Sequence, residues 1–396
     1  MRFGFFGNTN NYPFGLARAL IDKGYEVRFL VDREYGLHRP ETRFSELEKS
    51  YPDWIFDVSP MTAKDILLPT TRNIRSKRWV ADCDVLILNQ YGPALFYQDP
   101  RPKIVILAGS DFHLCGEKDY FSTPGFKNLP LLRACVRSFR KILVSRQRAG
   151  ITRAALVDYV WPGILHRDDG LFTDLEIEDA RRTSFLLVDL KTCTYCPAPR
   201  NKTLRITSGT RLNWEVFDNS GSINELDSKH ANTMLLGLAK FARETGMQVD
   251  IRLAKKGLHT PQSERLAEEL GLAPFVTWME ELSQVQILDE FRAADIVLEQ
   301  FNPKSCLGMA GRDAMAIGRP VIGFANTKVL ERIYGCPIPV CEASTEEELS
   351  YWLTRLGRDC ELRESIGYKA SQFARRYFSA ENAATICLNA LSSLHG

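Results

Sequence analysis

Residues 295–323 read DIVLEQFNPKSCLGMAGRDAMAIGRPVIG, and this stretch decides the fold. The run from Asp295 to Phe301 is short and rich in β-branched and aromatic residues, which predicts a strand ending near Phe301. A loop carrying Gly308 then opens a helix of helix-forming residues, and Pro320-Val-Ile-Gly323 starts the next strand. A helix crossing between two such strands makes them parallel neighbours, because parallel strands cannot be joined by a tight turn.

Working outward, the same alternation recurs on both sides. TLRITSG (203–209), VDIRLAK (249–255), FVTWME (275–280) and IPVCEA (338–343) extend the second half. RFGFFG (2–7), EVRFLVD (26–32), DVLILNQ (84–90), KIVILAG (103–109) and KILVSR (141–146) do so in the first. Several are apolar without alternation, as strands covered on both faces should be. Residues 165–202 hold RDDG, an uncertain strand SFLLVDL (184–190), CTYC and PAPRNK, and read as a linker. The tail reads as consecutive helices with breaks at Gly357 and near Ser379. The expected organisation is one Rossmann-like domain over 1–195, a second over 196–378, and a C-terminal helix over 379–396 packing back on the first domain.

Composition bounds the function. With 44% hydrophobic and 25% charged residues the 396-residue chain is an ordinary globular protein long enough for two domains. No window approaches the roughly 18 apolar residues of a membrane span, and MRFGFFGN lacks the apolar core of a secretory signal. Basic and acidic residues nearly cancel, 51 against 49, so nucleic acid is not an expected partner. The 10 cysteines are scattered in apolar surroundings, which suits a cytoplasmic, reducing compartment. Cys193 and Cys196 have a spacing that suits zinc or redox chemistry, but no second pair completes a four-ligand site, so they read as loop cysteines. No metal site is expected; Asp168-Asp169 alone does not make one.

Loops leaving parallel strands are where ligands bind in doubly wound sheets. After the first strand, Gly7 and Asn8 begin a small-residue loop that lets backbone approach a ligand and aims a helix N-terminus at negative charge. After KIVIL, Gly109 and Ser110 read as donor-binding loop residues, and Asp111 or His113 offers a group to hydrogen-bond a sugar hydroxyl or carry a proton, with helix capping by Asp111 as the alternative. Around 305–313, backbone at Leu307, Gly308 and Met309 is suited to phosphate, and Asp313 to a ribose diol. The segment 131–141 places Arg133, Arg137, Arg140 and Lys141 on one face and Leu132, Cys135, Val136 and Phe139 on another. That basic face reads as a solvated surface over a core helix, with peripheral contact to an anionic inner membrane face or a phosphorylated acceptor as the other reading.

GRDAMAIGRPVIG (311–323) resembles the EAMAxGxPVI signature of family 4 retaining glycosyltransferases, which have the GT-B architecture. FRAADIVLEQF (291–301), SGTRLNWE (208–215) and GYEVRFLVD (24–32) are similar to further segments of that family. The resemblance implies two doubly wound domains facing a central cleft, α/β in class. It also implies Arg211 and Lys229 as the basic pair on the donor diphosphate. The family's two glutamates, eight positions apart, fall on Ser305 and Asp313, and its acceptor-domain histidine on Ala108. Asp313 keeps a carboxylate for the ribose, whereas Ser305 does not keep the one that meets the donor sugar; Glu299 is a candidate substitute.

The expected activity is therefore metal-independent transfer of a hexosyl-type sugar from a UDP or GDP sugar to a glycan, lipid-linked or other hydroxyl acceptor, with retention, in polysaccharide or glycolipid assembly. No other cofactor is expected, and Asp111, Arg211 and Lys229 are the catalytic candidates. A sugar-nucleotide 2-epimerase and a non-catalytic nucleotide-sugar-binding partner subunit are the alternatives.

Overall fold

The computed structural model describes residues 1–34, 36–108, 130–159, 181–185, 187–199, 202–214 and 228–393, without the side chains of 37, 130–137, 159 and 182. The chain divides into two compact units, one of Met1–Trp161, Leu165–Leu187 and Ala380–Gly396, the other of Pro162–Ile164 and Val188–Ser379.

In the first unit β1 (Arg2–Phe6), β2 (Glu26–Val31), β3 (Ile55–Asp57), β4 (Val85–Asn89), β5 (Lys103–Leu107), β6 (Leu156–Tyr159) and β7 (Arg182–Thr183) form one parallel sheet. Its order is β3-β2-β1-β4-β5-β6-β7. Strands β4 and β5 are buried along their whole length, which is why their sequences do not alternate. Aromatic rings fill one face: Phe5 stacks on Phe29 at 5.4 Å, and Phe14 of the helix Tyr12–Asp22 meets Phe29 edge-on at 5.1 Å. The C-terminal helix Ala380–Ser392 lies against Tyr12–Asp22 in this unit.

In the second unit β8 (Leu204–Ser208), β9 (Val249–Ala254), β10 (Val276–Met279), β11 (Ile296–Leu298), β12 (Val321–Gly323) and β13 (Cys341–Glu342) form a second parallel sheet, ordered β10-β9-β8-β11-β12-β13. Both sheets therefore reverse direction beside their first strand, at β1/β4 and β8/β11, as doubly wound nucleotide-binding folds do.

Three expectations are corrected. KILVSR is not a strand but lies inside the helix Pro130–Thr152, because no turn residue separates it from the helix-periodic segment before it. Among its described residues SFLLVDL contributes an isolated bridge between Val188 and Ser379 and no longer strand. Cys193 and Cys196 fall in the stretch Val188–Ser379 of the second unit, where Val188 N–H donates to Phe378 O at 2.7 Å. The helix break expected at Gly357 falls at Asp359, whose side chain accepts from Leu362 N at 2.8 Å and caps the next helix.

Candidate functional site

The switch point of the second sheet lies between the ends of β8 and β11, and a cluster of polar side chains stands there. Leaving β8, the backbone of Ser208–Trp214 is braced from the neighbouring loop. Asn213 Oδ1 accepts from Leu258 N at 2.9 Å, His259 N donates to Leu212 O at 3.0 Å, and Trp214 Nε1 donates to Ser263 Oγ at 3.0 Å. Gly257 permits this approach: its φ is +124°, and a Cβ there would lie 2.6 Å from Leu212 N. Arg211, at the turn of this loop, is exposed. Its charge helps hold the Glu281 carboxyl below the usual range, after the hydrogen bond and charge of Lys256.

Lys229 enters from the segment before the helix Ala231–Thr245. Its N–H donates to Asn213 O at 2.7 Å, and Phe301 N donates to Lys229 O at 3.0 Å, so the loops after β8 and β11 are laced through it. Its Nζ donates to Gln300 Oε1 at 2.8 Å. His230 follows with φ +50° as the residue preceding the helix, an uncommon conformation for a side-chain-bearing residue.

Glu299 is buried at the end of β11, and its Oε2 accepts from Gly308 N at 3.2 Å, at the start of the helix Met309–Ile317. A carboxylate there meets the positive end of the helix dipole. Burial nevertheless pushes its carboxyl above the usual range, opposed by a backbone hydrogen bond at Gln300, the Lys229 charge, the Gly308 amide and the Arg312 charge. The glycines follow from this carboxylate: a Cβ at Gly308 would lie 2.3 Å from Glu299 Oε1, and one at Gly311 2.9 Å from Glu299 Cγ. Ser305 is 2% exposed, and its Oγ has no hydrogen-bond partner among the described residues. Leu307 is buried, while Gly308 and Met309 are partly open.

Asp313 is 1% exposed, not a solvated helix acid. Its Oδ2 accepts from Gln284 Nε2 at 2.9 Å and its Oδ1 from the Cys193 thiol at 3.5 Å. Cys193 thereby gains a role that spacing did not suggest.

Arg319 was also missed. Its buried guanidinium donates to the carbonyls of Phe291, Cys196, Gly318, Pro197 and Arg292, and burial pushes its pKa down. It ties the segment around Cys196 beneath this helix.

In the first unit Gly7 has φ +86°, and a Cβ would lie 2.6 Å from Asn89 O. Asn8 is fully buried and its amide serves the fold, donating to Asn11 Oδ1 and His38 O and accepting from Phe14 N. Thr9 N donates to Asn89 Oδ1 at 2.8 Å, and Arg33 and Thr9 meet across Gln90. Ala108 is buried at the end of β5. Gly109, Ser110, Asp111 and His113 lie outside the described residues, as do Asp168 and Asp169. Among the described residues no group of three or more His, Cys, Asp or Glu side chains is placed to hold a metal ion, and no helix is long and apolar enough to cross a membrane.

No protein-family model matches the chain, and no curated protein matches its sequence. Solved structures do match in fold. Sucrose-phosphate synthase of Thermosynechococcus elongatus superposes with a TM-score of 0.62 at 13% identity, covering 100% of this chain and 99% of that one. HepE of Anabaena, solved with UDP and glucose, gives 0.63 at 15% identity over 99% and 100%. A glycosyltransferase of Rickettsia africae gives 0.60 at 11% identity over 99% and 97%. The chain has the GT-B fold, with two Rossmann-like α/β units.

Proposed function

We propose that the protein is a family 4-like glycosyltransferase that moves a sugar from a nucleotide-diphosphate sugar to a hydroxyl acceptor. The observation that carries the reading is the cluster at the β8/β11 switch point, where Lys229 stands on Gln300 beside the glycine-lined start of the helix Met309–Ile317. Departure of a nucleoside diphosphate puts the bonding electron pair and negative charge on the phosphoryl oxygens. Lys229, Arg211 and the amides near Gly308 supply fixed positive charge for them without a catalytic metal. Asp313, held by Gln284, is the proposed ribose acceptor, and Glu299 with Ser305 the proposed sugar-side pair. The first unit is the proposed seat of the acceptor, with Asp111 as its candidate proton carrier. Retention of anomeric configuration, a UDP or GDP donor, a role in polysaccharide or glycolipid assembly and a cytoplasmic setting complete the proposal, on the strength of the sequence resemblance.

A thermal-shift screen across UDP, GDP, ADP and dTDP sugars tests it, since a ligand bound by the native state alone raises the melting temperature. One nucleotide should stabilise the protein, and its sugar should then be transferred to an acceptor or slowly to water. Binding without turnover under any acceptor would instead favour the non-catalytic reading, and release of an epimerised sugar the 2-epimerase.

A further inference from the structure

Arg33 stands just past the end of β2, and its Nε donates at 2.7 Å to Oε1 of Gln90, which follows β4. Since β1 lies between β2 and β4 in the sheet, this bond carries the guanidinium across the C-terminal end of β1, at the switch point of the first sheet. Gln90 is 5% exposed and donates onward to Thr9 Oγ1 at 3.0 Å, while the Arg33 guanidinium lies over the Tyr91 ring at 5.6 Å. The backbone here is uncommon: Asn10, Asn11 and Gln90 have φ of +53°, +62° and +54°, and side-chain-bearing residues held in that region cluster at ligand sites. Two nearby carboxylates are engaged elsewhere. Arg39, whose Nη1 donates to Arg33 O at 3.3 Å, pairs with Asp57 at 2.8 Å and with Glu41. Buried Asp32 makes its nearest approach to Arg33 at Nε, 4.0 Å away. Neither Arg33 Nη donates to a described residue, and the side chain is 36% exposed.

A guanidinium fixed through Nε keeps its two terminal nitrogens as an end-on pair of donors, and it has no acceptor of its own. Such a pair matches two oxygens of one carboxylate or phosphate, whereas a neutral sugar hydroxyl offers a single, weaker acceptor. The donor diphosphate has its proposed cations, Lys229 and Arg211, in the second unit, so the anion left for Arg33 belongs to the other substrate. We propose that Arg33 selects an acceptor carrying an anionic group, a sugar phosphate or a uronic acid, at the switch point of the first sheet. That the ligand is an acceptor rests on the sugar-transfer reading; that it is an anion rests on Arg33 and its surroundings.

Isothermal titration of glucose 6-phosphate, glucuronate and glucose into the full chain, Arg33→Gln and Arg33→Lys tests it, with UDP and GDP titrated into the same three proteins. The parent should bind one of the two anionic sugars about tenfold or more tightly than glucose, and less tightly as salt rises; the tighter of the two identifies the group. Arg33→Gln should erase that preference, and Arg33→Lys, which keeps the charge without the paired donors, should retain only part of it. Nucleotide affinity and melting temperature should match the parent's in both variants. A parent that binds both anionic sugars no better than glucose, or a preference that survives in Arg33→Gln, would overturn the proposal. So would a loss of nucleotide affinity in Arg33→Gln, which would assign Arg33 to the donor. A parent that holds the anion through Arg33 yet transfers no sugar to it would sink the sugar-transfer reading and leave the anion site standing.

Discussion

Glu299 Oε2 lies 3.2 Å from Gly308 N, so the helix start proposed for the donor phosphates is met by the protein's own carboxylate. Burial raises the Glu299 pKa despite Lys229 and the amide. The native state thus binds a proton that the unfolded chain gives up at lower pH. Stability is therefore lost as pH rises out of the usual carboxylate range through the folded value. Glu299→Gln keeps an oxygen for Gly308 N but no charge. Urea unfolding should show the variant at least as stable as the parent above neutrality, with a flatter pH profile; a parent that gains stability over that range would contradict the account.

Asp32, just past β2, is 2% exposed, and its Oδ1 has no hydrogen-bond partner among the described residues. Burial pushes its carboxyl from 3.8 up to about 6, with Arg33 opposing. The sign is the same: the cost is absent below the unfolded value and complete above about 6. At about 1.4 kcal/mol per pK unit this is about 3 kcal/mol. Asp32→Asn should raise stability by up to that amount at neutral pH and by nothing in acid, measured by denaturant unfolding at both.

Arg319 spends its donors on five backbone carbonyls. Arg319→Met fills the volume but leaves those oxygens buried without it. A loss of about 3 kcal/mol or more is expected, read as a lower denaturation midpoint. An unchanged midpoint would show that the carbonyl cage is dispensable.

Asp313 is held by Gln284 and Cys193, so it is positioned before any ligand arrives. Asp313→Ala should cost about 1–3 kcal/mol of stability. It should also erase any preference for a ribonucleotide over its 2′-deoxy analogue in calorimetry. A preference that survives intact would remove Asp313 from the ribose.

Much of this was legible in the sequence because parallel strands buried on both faces leave unbroken apolar runs, as in VLILN and KIVIL. The loop-to-helix turn at Gly308 was legible for the same reason, since glycine between a strand and a helix marks close approach. What approaches Gly308 was not, because Glu299 looks like any acid at a strand end until the fold buries it. Arg319 and Cys193 were hidden because their partners are distant in sequence or are backbone atoms that carry no residue signature. Phe139, which is exposed, misled because helical periodicity shows which residues share a face, and only the neighbouring helices decide which face is covered.

Nucleotide diphosphate binding at the β8/β11 switch point is proposed to rest on Lys229 and Arg211. Isothermal titration of UDP and GDP into the parent, Lys229→Ala and Arg211→Ala measures that dependence. One nucleotide should bind the parent, and each variant should bind it about ten- to a hundredfold more weakly, as loss of a charged hydrogen bond implies. The melting temperatures without ligand should stay close to the parent's. Equal affinity across all three proteins, or no binding of either nucleotide by the parent, would contradict it.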